Sequence, residues 1–192
     1  MTQVKICGLM TLSDVAAVNT TTADFAGFVF APSRHQIDIP TATLLKKHLN
    51  PRIKTVGVFV HESYETITKI YQSGLIDLVQ LHQNYESNLN QRLHKDGLPI
   101  IQVFQNQSPK NQVQADYIMV DSGQGSGQTL TWQPLPTITK PLILAGGLTP
   151  ENVAQAISVV QPTIVDVSSG VEVAHHKSIA KIQQFVNNAK GA

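Results

Sequence analysis

Eight short apolar, β-branched or aromatic-rich runs recur along the chain: VKICG, FAGFVF, TVGVFV, LVQLH, PIIQVF, YIMVD, PLILAGG and IVDVSSG. Their number and spacing constrain the fold more than any other feature. Between most of them lie segments with helical spacing, such as SDVAAVN, TATLLKKHL, SYETITKIYQSG, YESNLNQRLHKDG, PENVAQAISVV and SIAKIQQFVNNAKG. Ser13 and Thr149 are expected as N-caps, and Gly74 and Gly97 as residues that close helices. SPKNQVQ and TWQPLP, after the fifth and sixth runs, are too short or too proline-broken for full helices.

Eight units in 192 residues leave about 24 residues each, enough for a strand, a helix and two short loops, with no room for a second domain. Strand–helix alternation implies parallel strands with right-handed crossovers, and eight such units make a closed barrel. The expectation is a single α/β domain over residues 1–192, a (β/α)8 or TIM barrel. An open doubly wound sheet is the alternative, but it would normally have fewer strands and polar edges, whereas all eight runs here are apolar.

In such a barrel, chemistry is done where the strands end. The residues there are Cys7-Gly8, Phe30 to His35, Val60-His61, His82-Gln83, Gln105-Asn106, Asp121-Ser122, Ala145 to Gly147 and Ser168 to Gly170. Side chains alternate along a strand, so Lys5 shares a face with Cys7, and Asp166 with Ser168. Because the first and last strands meet when a barrel closes, an interior Lys5–Asp166 pair is expected, with the cation favouring the thiolate of Cys7. Cys7 is otherwise a small buried hydrophobe. Asp121 either caps its own turn or serves as an acid whose pKa is raised by partial burial.

LAGGLTPENV and VDVSSGVE put Gly146-Gly147 and Ser168-Ser169-Gly170 after strands seven and eight, the two loops where barrels commonly bind phosphate through backbone N–H groups. The substrate should therefore carry a phosphate. GQGSGQ lacks the spacing of a dinucleotide fingerprint. Seven histidines include the adjacent pair His175-His176, but no HxxxH or Cys/His cluster appears, so no metal is expected. His82 either points into the barrel mouth or is a satisfied structural histidine.

With 14 basic and 13 acidic residues and no long run of either sign, there is no general reason to expect nucleic acid or a membrane as partner. A lone cysteine, no signal-like opening segment and no apolar run near the roughly 18 residues of a membrane span fit a cytoplasmic protein.

Taken in order, KICG, GFVFAPS, VGVFV, VQLH, VDSGQGSGQTLTW, LAGGLTPENV and VDVSSGVE resemble phosphoribosylanthranilate isomerase, the tryptophan-pathway enzyme, from Lys5 to Phe185. The resemblance implies a ribulose-phosphate-binding barrel that carries out an Amadori rearrangement. N-(5-phosphoribosyl)anthranilate, an aminoaldose, would become 1-(2-carboxyphenylamino)-1-deoxyribulose 5-phosphate, an aminoketose, without cofactor or metal. It assigns general acid to Asp121 and general base to Cys7, with Gly8 letting the substrate lie close.

The family pattern S-x-R-x-V also places an arginine on the anthranilate carboxylate. Here Ser33-Arg34-His35-Gln36-Ile37 puts His35 in the arginine's place, so that contact falls to Arg34 or to His35. Gln83 replaces a glycine common after VQLH, and TLTW stands where FDW is usual. Two alternatives are an aminoaldose-phosphate isomerase of altered aryl specificity and a non-catalytic phosphosugar-binding barrel. Monomer and homodimer are both open.

Overall fold

The computed structural model describes residues 1–82, 85, 87–105, 109–121 and 138–192. Eight parallel strands close into a barrel in sequence order: β1 (Gln3–Cys7), β2 (Phe25–Val29), β3 (Lys54–Phe59), β4 (Leu78–Leu81), β5 (Ile100–Gln105), β6 (Tyr117–Asp121), β7 (Leu142–Ala145) and β8 (Ile164–Val167). Closure rests on β1 against β8, where Lys5 stands opposite Asp166. This excludes the open sheet.

Among the described residues six helices pack outside: α1 (Leu12–Asn19), α2 (Ile39–His48), α3 (Tyr64–Gln72), α4 (Ser87–Lys95), α5 (Val153–Val160) and α6 (Ile179–Gly191). Among the described residues no helix follows β5, while TWQPLP lies outside them. After β8 come a single 3-10 turn, Ser169–Val171, and a small antiparallel hairpin of β9 (Glu172–Val173) and β10 (His176–Lys177).

Local chemistry accounts for the helix ends. Thr11, not Ser13, caps α1: its side chain accepts from the Asp14 amide while Asp14 reaches back to the Thr11 amide, a capping box that leaves Ser13 inside the helix. Nor does Thr149 cap α5. It opens a preceding turn in which its amide donates to Asn152 Oδ1 at 2.8 Å, and the helix begins only at Val153. Asp38, Ser63 and Ser178 cap α2, α3 and α6 with side-chain hydrogen bonds. Gly74 and Gly97 end α3 and α4 with φ of 75° and 77°, the left-handed conformation that suits glycine.

The core has two shells. Phe25, Val56, Leu78, Ile101, Met119, Ile143 and Ile164 fill the barrel interior, and a larger cluster joins the strands' outer faces to the helices. Phe185 of α6 is fully buried there, and truncating such a side chain to alanine typically costs about 3–5 kcal/mol. A rigid ring results, fixing where each strand ends.

Candidate active site

Strand alternation turns Lys5 and Cys7 inward on β1. Lys5 Nζ donates to Asp166 Oδ1 at 2.9 Å, and both groups are buried, as expected from the pairing of the first and last strands. Burial alone disfavours the charged Lys5 ammonium and lowers its pKa. The Asp166 carboxylate, helped by Cys7, more than offsets this and raises the Lys5 pKa above its ordinary value.

Cys7, 8% exposed, lies above this pair. Burial dominates its environment and pushes the thiol up, and Asp166 adds to the rise. Lys5 and Lys177 pull the other way without cancelling it. The cation's pull on the thiol thus exists as expected but is outweighed, so the free site favours the thiol over the thiolate.

Two glycines shape the space around the sulfur. Gly27 lies beside Cys7 in the β1–β2 register, and a β-carbon there would stand 2.7 Å from Sγ. Gly8 has φ of 77°, and its missing side chain accommodates protein as much as substrate: a β-carbon would meet His35 Cγ at 3.0 Å and Ser168 Oγ at 3.2 Å.

Asp121 ends β6 with its side chain 19% exposed, and His82 Nε2 stands 3.8 Å from its Oδ2. His82 therefore faces the mouth. Asp121, Asp166, Gly146, Gly147, Ser168 and Gly170 line one cleft of about 200 Å³. Gly146 and Gly147 have φ of 89° and 65°. Gly170 fits only because it lacks a side chain, since a β-carbon would stand 1.9 Å from the Leu148 carbonyl oxygen. The loops after β7 and β8 are thus interlocked, and the carboxylate at the end of β6 opens onto the same space. Gln83, Asn106, Ser122, GQGSG and TLTW lie outside the described residues.

Arg34 and His35 converge on Glu172, the last residue of the VDVSSGVE segment. Glu172 Oε2 accepts from Arg34 Nη2 at 2.8 Å, while Glu172 Oε1 pairs with His35 Nε2 at 2.8 Å and Lys177 Nζ at 2.7 Å. Lys177, its side chain 1% exposed, also donates to the Ser168 carbonyl at 3.0 Å. Burial raises the Glu172 pKa, but Lys177 and His35 outweigh it and hold the carboxyl below its ordinary value. Burial and Lys177 together drive His35 below the usual histidine value, against the pull of Glu172.

Glu172 and Lys177 were missed because nothing in the local pattern marks a hairpin. Its two-residue turn, Ala174-His175, has φ of 47° and 67°, where glycine or asparagine would be the usual signal.

The closed barrel and its interlocked loops after β7 and β8 define a (β/α)8 protein whose glycine-lined cleft lies where the strands end, with the Asp121 carboxylate opening onto it. Residues 4–188 match the sequence model described as N-(5'phosphoribosyl)anthranilate (PRA) isomerase, and the chain belongs to that family.

It is 57% identical over 190 residues to N-(5'-phosphoribosyl)anthranilate isomerase of Lacticaseibacillus casei (strain BL23), covering 99% of this chain and 96% of that protein. The enzyme of the same name from Lactiplantibacillus plantarum is 44% identical over 195 residues, covering 98% and 92%. Among solved structures, a phosphoribosyl anthranilate isomerase in complex with reduced 1-(o-carboxyphenylamino)-1-deoxyribulose 5-phosphate superposes with a TM-score of 0.84 at 32% identity, covering 100% of both chains. The monomers generated from the dimeric Thermotoga maritima enzyme give a TM-score of 0.82 at 31% identity, again covering 100% of both.

Proposed function

We infer that this chain performs the family's reaction in tryptophan biosynthesis, the Amadori rearrangement of N-(5'-phosphoribosyl)anthranilate, with Asp121 as general acid and Cys7 as general base. The observation that carries this reading is the convergence at one mouth of an inward thiol, a carboxylate and two interlocked phosphate-type loops.

As general acid, Asp121 gives a proton to the furanose oxygen as the C1–O bond breaks, which leaves a cationic Schiff base between C1 and the anthranilate nitrogen. The Cys7 thiolate then takes the proton from C2. The C–H electron pair forms the C1–C2 double bond and the C=N pair returns to nitrogen, giving the enolamine. Loss of the C2 hydroxyl proton and return of a proton to C1 complete the ketone. The resting thiol releases its proton to solvent and becomes a base within the complex, because the Schiff-base cation adds to the pull of Lys5 and Lys177 on the sulfur. Gly146, Gly147, Ser168, Ser169 and Gly170 hold the phosphate in this reading, and the cleft they share with Asp121 sets the sugar's distance from the acid.

Arg34 is the better candidate for the anthranilate carboxylate. Its side chain is 44% exposed and permanently charged, whereas His35 is 13% exposed, has Nε2 engaged by Glu172 and is biased toward the neutral form.

The test is kcat/KM on freshly generated substrate without added metal or cofactor. Cys7→Ser and Asp121→Asn should each lower it by about 10²–10⁴-fold with the fold retained. Near-parent kcat/KM in either variant removes that residue's role, and an inactive parent removes the reading itself.

A further inference from the structure

Glu172 gathers three basic side chains from two separate parts of the chain, the loop after β2 and its own hairpin. Its backbone is held as well, since Lys181 Nζ donates to the Glu172 carbonyl at 3.1 Å. The same cluster reaches both ends of the candidate active site. The His35 ring lies over Gly8, beside Cys7, and Lys177 bonds Ser168 in the phosphate-type loop.

A second observation is independent of these contacts. The turn that joins Glu172 to Lys177 uses alanine and histidine in the left-handed region, a conformation that persists only where the surroundings enforce it. Its His175 Nδ1 meets Arg34 Nη1, so the strained turn grips the guanidinium from one side while Glu172 holds it from the other.

We propose that Glu172 is a positioning residue for recognition of the substrate's aryl carboxylate, aiming Arg34 across the mouth and keeping His35 turned aside. This rests on Arg34 being the carboxylate contact. A free guanidinium at the end of a loop would spend binding energy on being ordered. One clamped in advance by Glu172 and the turn does not, and its remaining donors can meet the incoming carboxylate. On this assignment the hairpin after β8 sets the aryl end of the site, although Arg34 belongs to the loop after β2.

The experiment compares the parent, Glu172→Gln and Glu172→Asp on N-(5'-phosphoribosyl)anthranilate and on the analogue lacking the aryl carboxylate, with thermal melts as the folding control. Glu172→Gln should raise KM for the carboxylated substrate about tenfold and leave kcat within about threefold, while the analogue's parameters barely move. Glu172→Asp, which keeps the charge, should lie between. Arg34→Ala should raise KM in the parent but add little in the Glu172→Gln background, because the two residues act as one unit.

Equal losses on both substrates, a fall in kcat at constant KM, or full additivity with Arg34→Ala would each overturn the assignment. Should Glu172→Gln fail to fold, Glu172→Asp decides alone by the same selectivity ratio. A parent that turns over the substrate yet does not distinguish it from the analogue overturns the Arg34 reading and the Glu172 proposal together, leaving the isomerase reading intact. An inactive parent overturns all three.

Discussion

The sulfur of Cys7 rests against the bare α-carbon of Gly27: a β-carbon there would stand 2.7 Å from Sγ and 3.0 Å from the Cys7 α-carbon. Strands β1 and β2 are in register at this pair, so the thiol's position is set by what its neighbouring strand lacks.

Gly27→Ala should therefore push the thiol out of line. Overpacking of this kind costs about 1–3 kcal/mol of stability, and a displacement of about 1 Å at the reacting group costs roughly 10²-fold in rate. Kinetics and thermal melts on the same preparation check both effects. A variant with parent-like kcat/KM would show that the thiol's placement tolerates the added methyl.

Lys5→Met should destabilise the protein by about 3–5 kcal/mol, because it leaves the Asp166 carboxylate buried without its cation. It also removes an influence that lowers the Cys7 pKa, so the thiolate-dependent rise of the pH–rate profile should move to higher pH. The double variant Lys5→Met/Asp166→Leu should recover much of the stability and leave that rise displaced by less than in the single variant, because Asp166 itself raises the Cys7 pKa. Denaturant titration and pH–rate measurements separate the two roles. Parent-like stability in the single variant would argue against a buried charge pair.

Acid should weaken the fold in two stages. His35 has its folded pKa depressed, so the unfolded chain binds its proton first, and stability falls as pH drops below the ordinary histidine value of about 6.5. The Glu172 pKa is also depressed. Its contribution is fully present above the ordinary glutamate value of about 4.3 and is lost as pH falls through the lower folded value. Urea midpoints between pH 7 and 5 should decline less in His35→Gln than in the parent. Identical slopes would assign the first stage to another group.

Much of this architecture is legible from local pattern. Each apolar run became a strand, and the Lys5–Asp166 pair followed from alternation plus the closure that eight units require. Helix boundaries were less legible. Thr11 displaced Ser13 as the cap of α1 because the capping box needs the acidic partner at the third helical position, which Asp14 occupies relative to Thr11. Lys5 was rightly expected to pull on the Cys7 thiol, but burial, which outweighs that pull, depends on the packed barrel mouth.

The sequence by itself determined a closed eight-stranded α/β barrel, the strand ends that carry Cys7 and Asp121, and the two glycine-containing loops. Periodicity and turn chemistry act over a few residues, so one chain suffices to read them. Only the tertiary structure decided that Glu172 would hold Arg34, His35 and Lys177 together, and that Gly27 would make room for a sulfur. Those outcomes depend on which loops and strands meet once the ring closes. Arg34 and Glu172 are 138 residues apart, and no local pattern records that they touch.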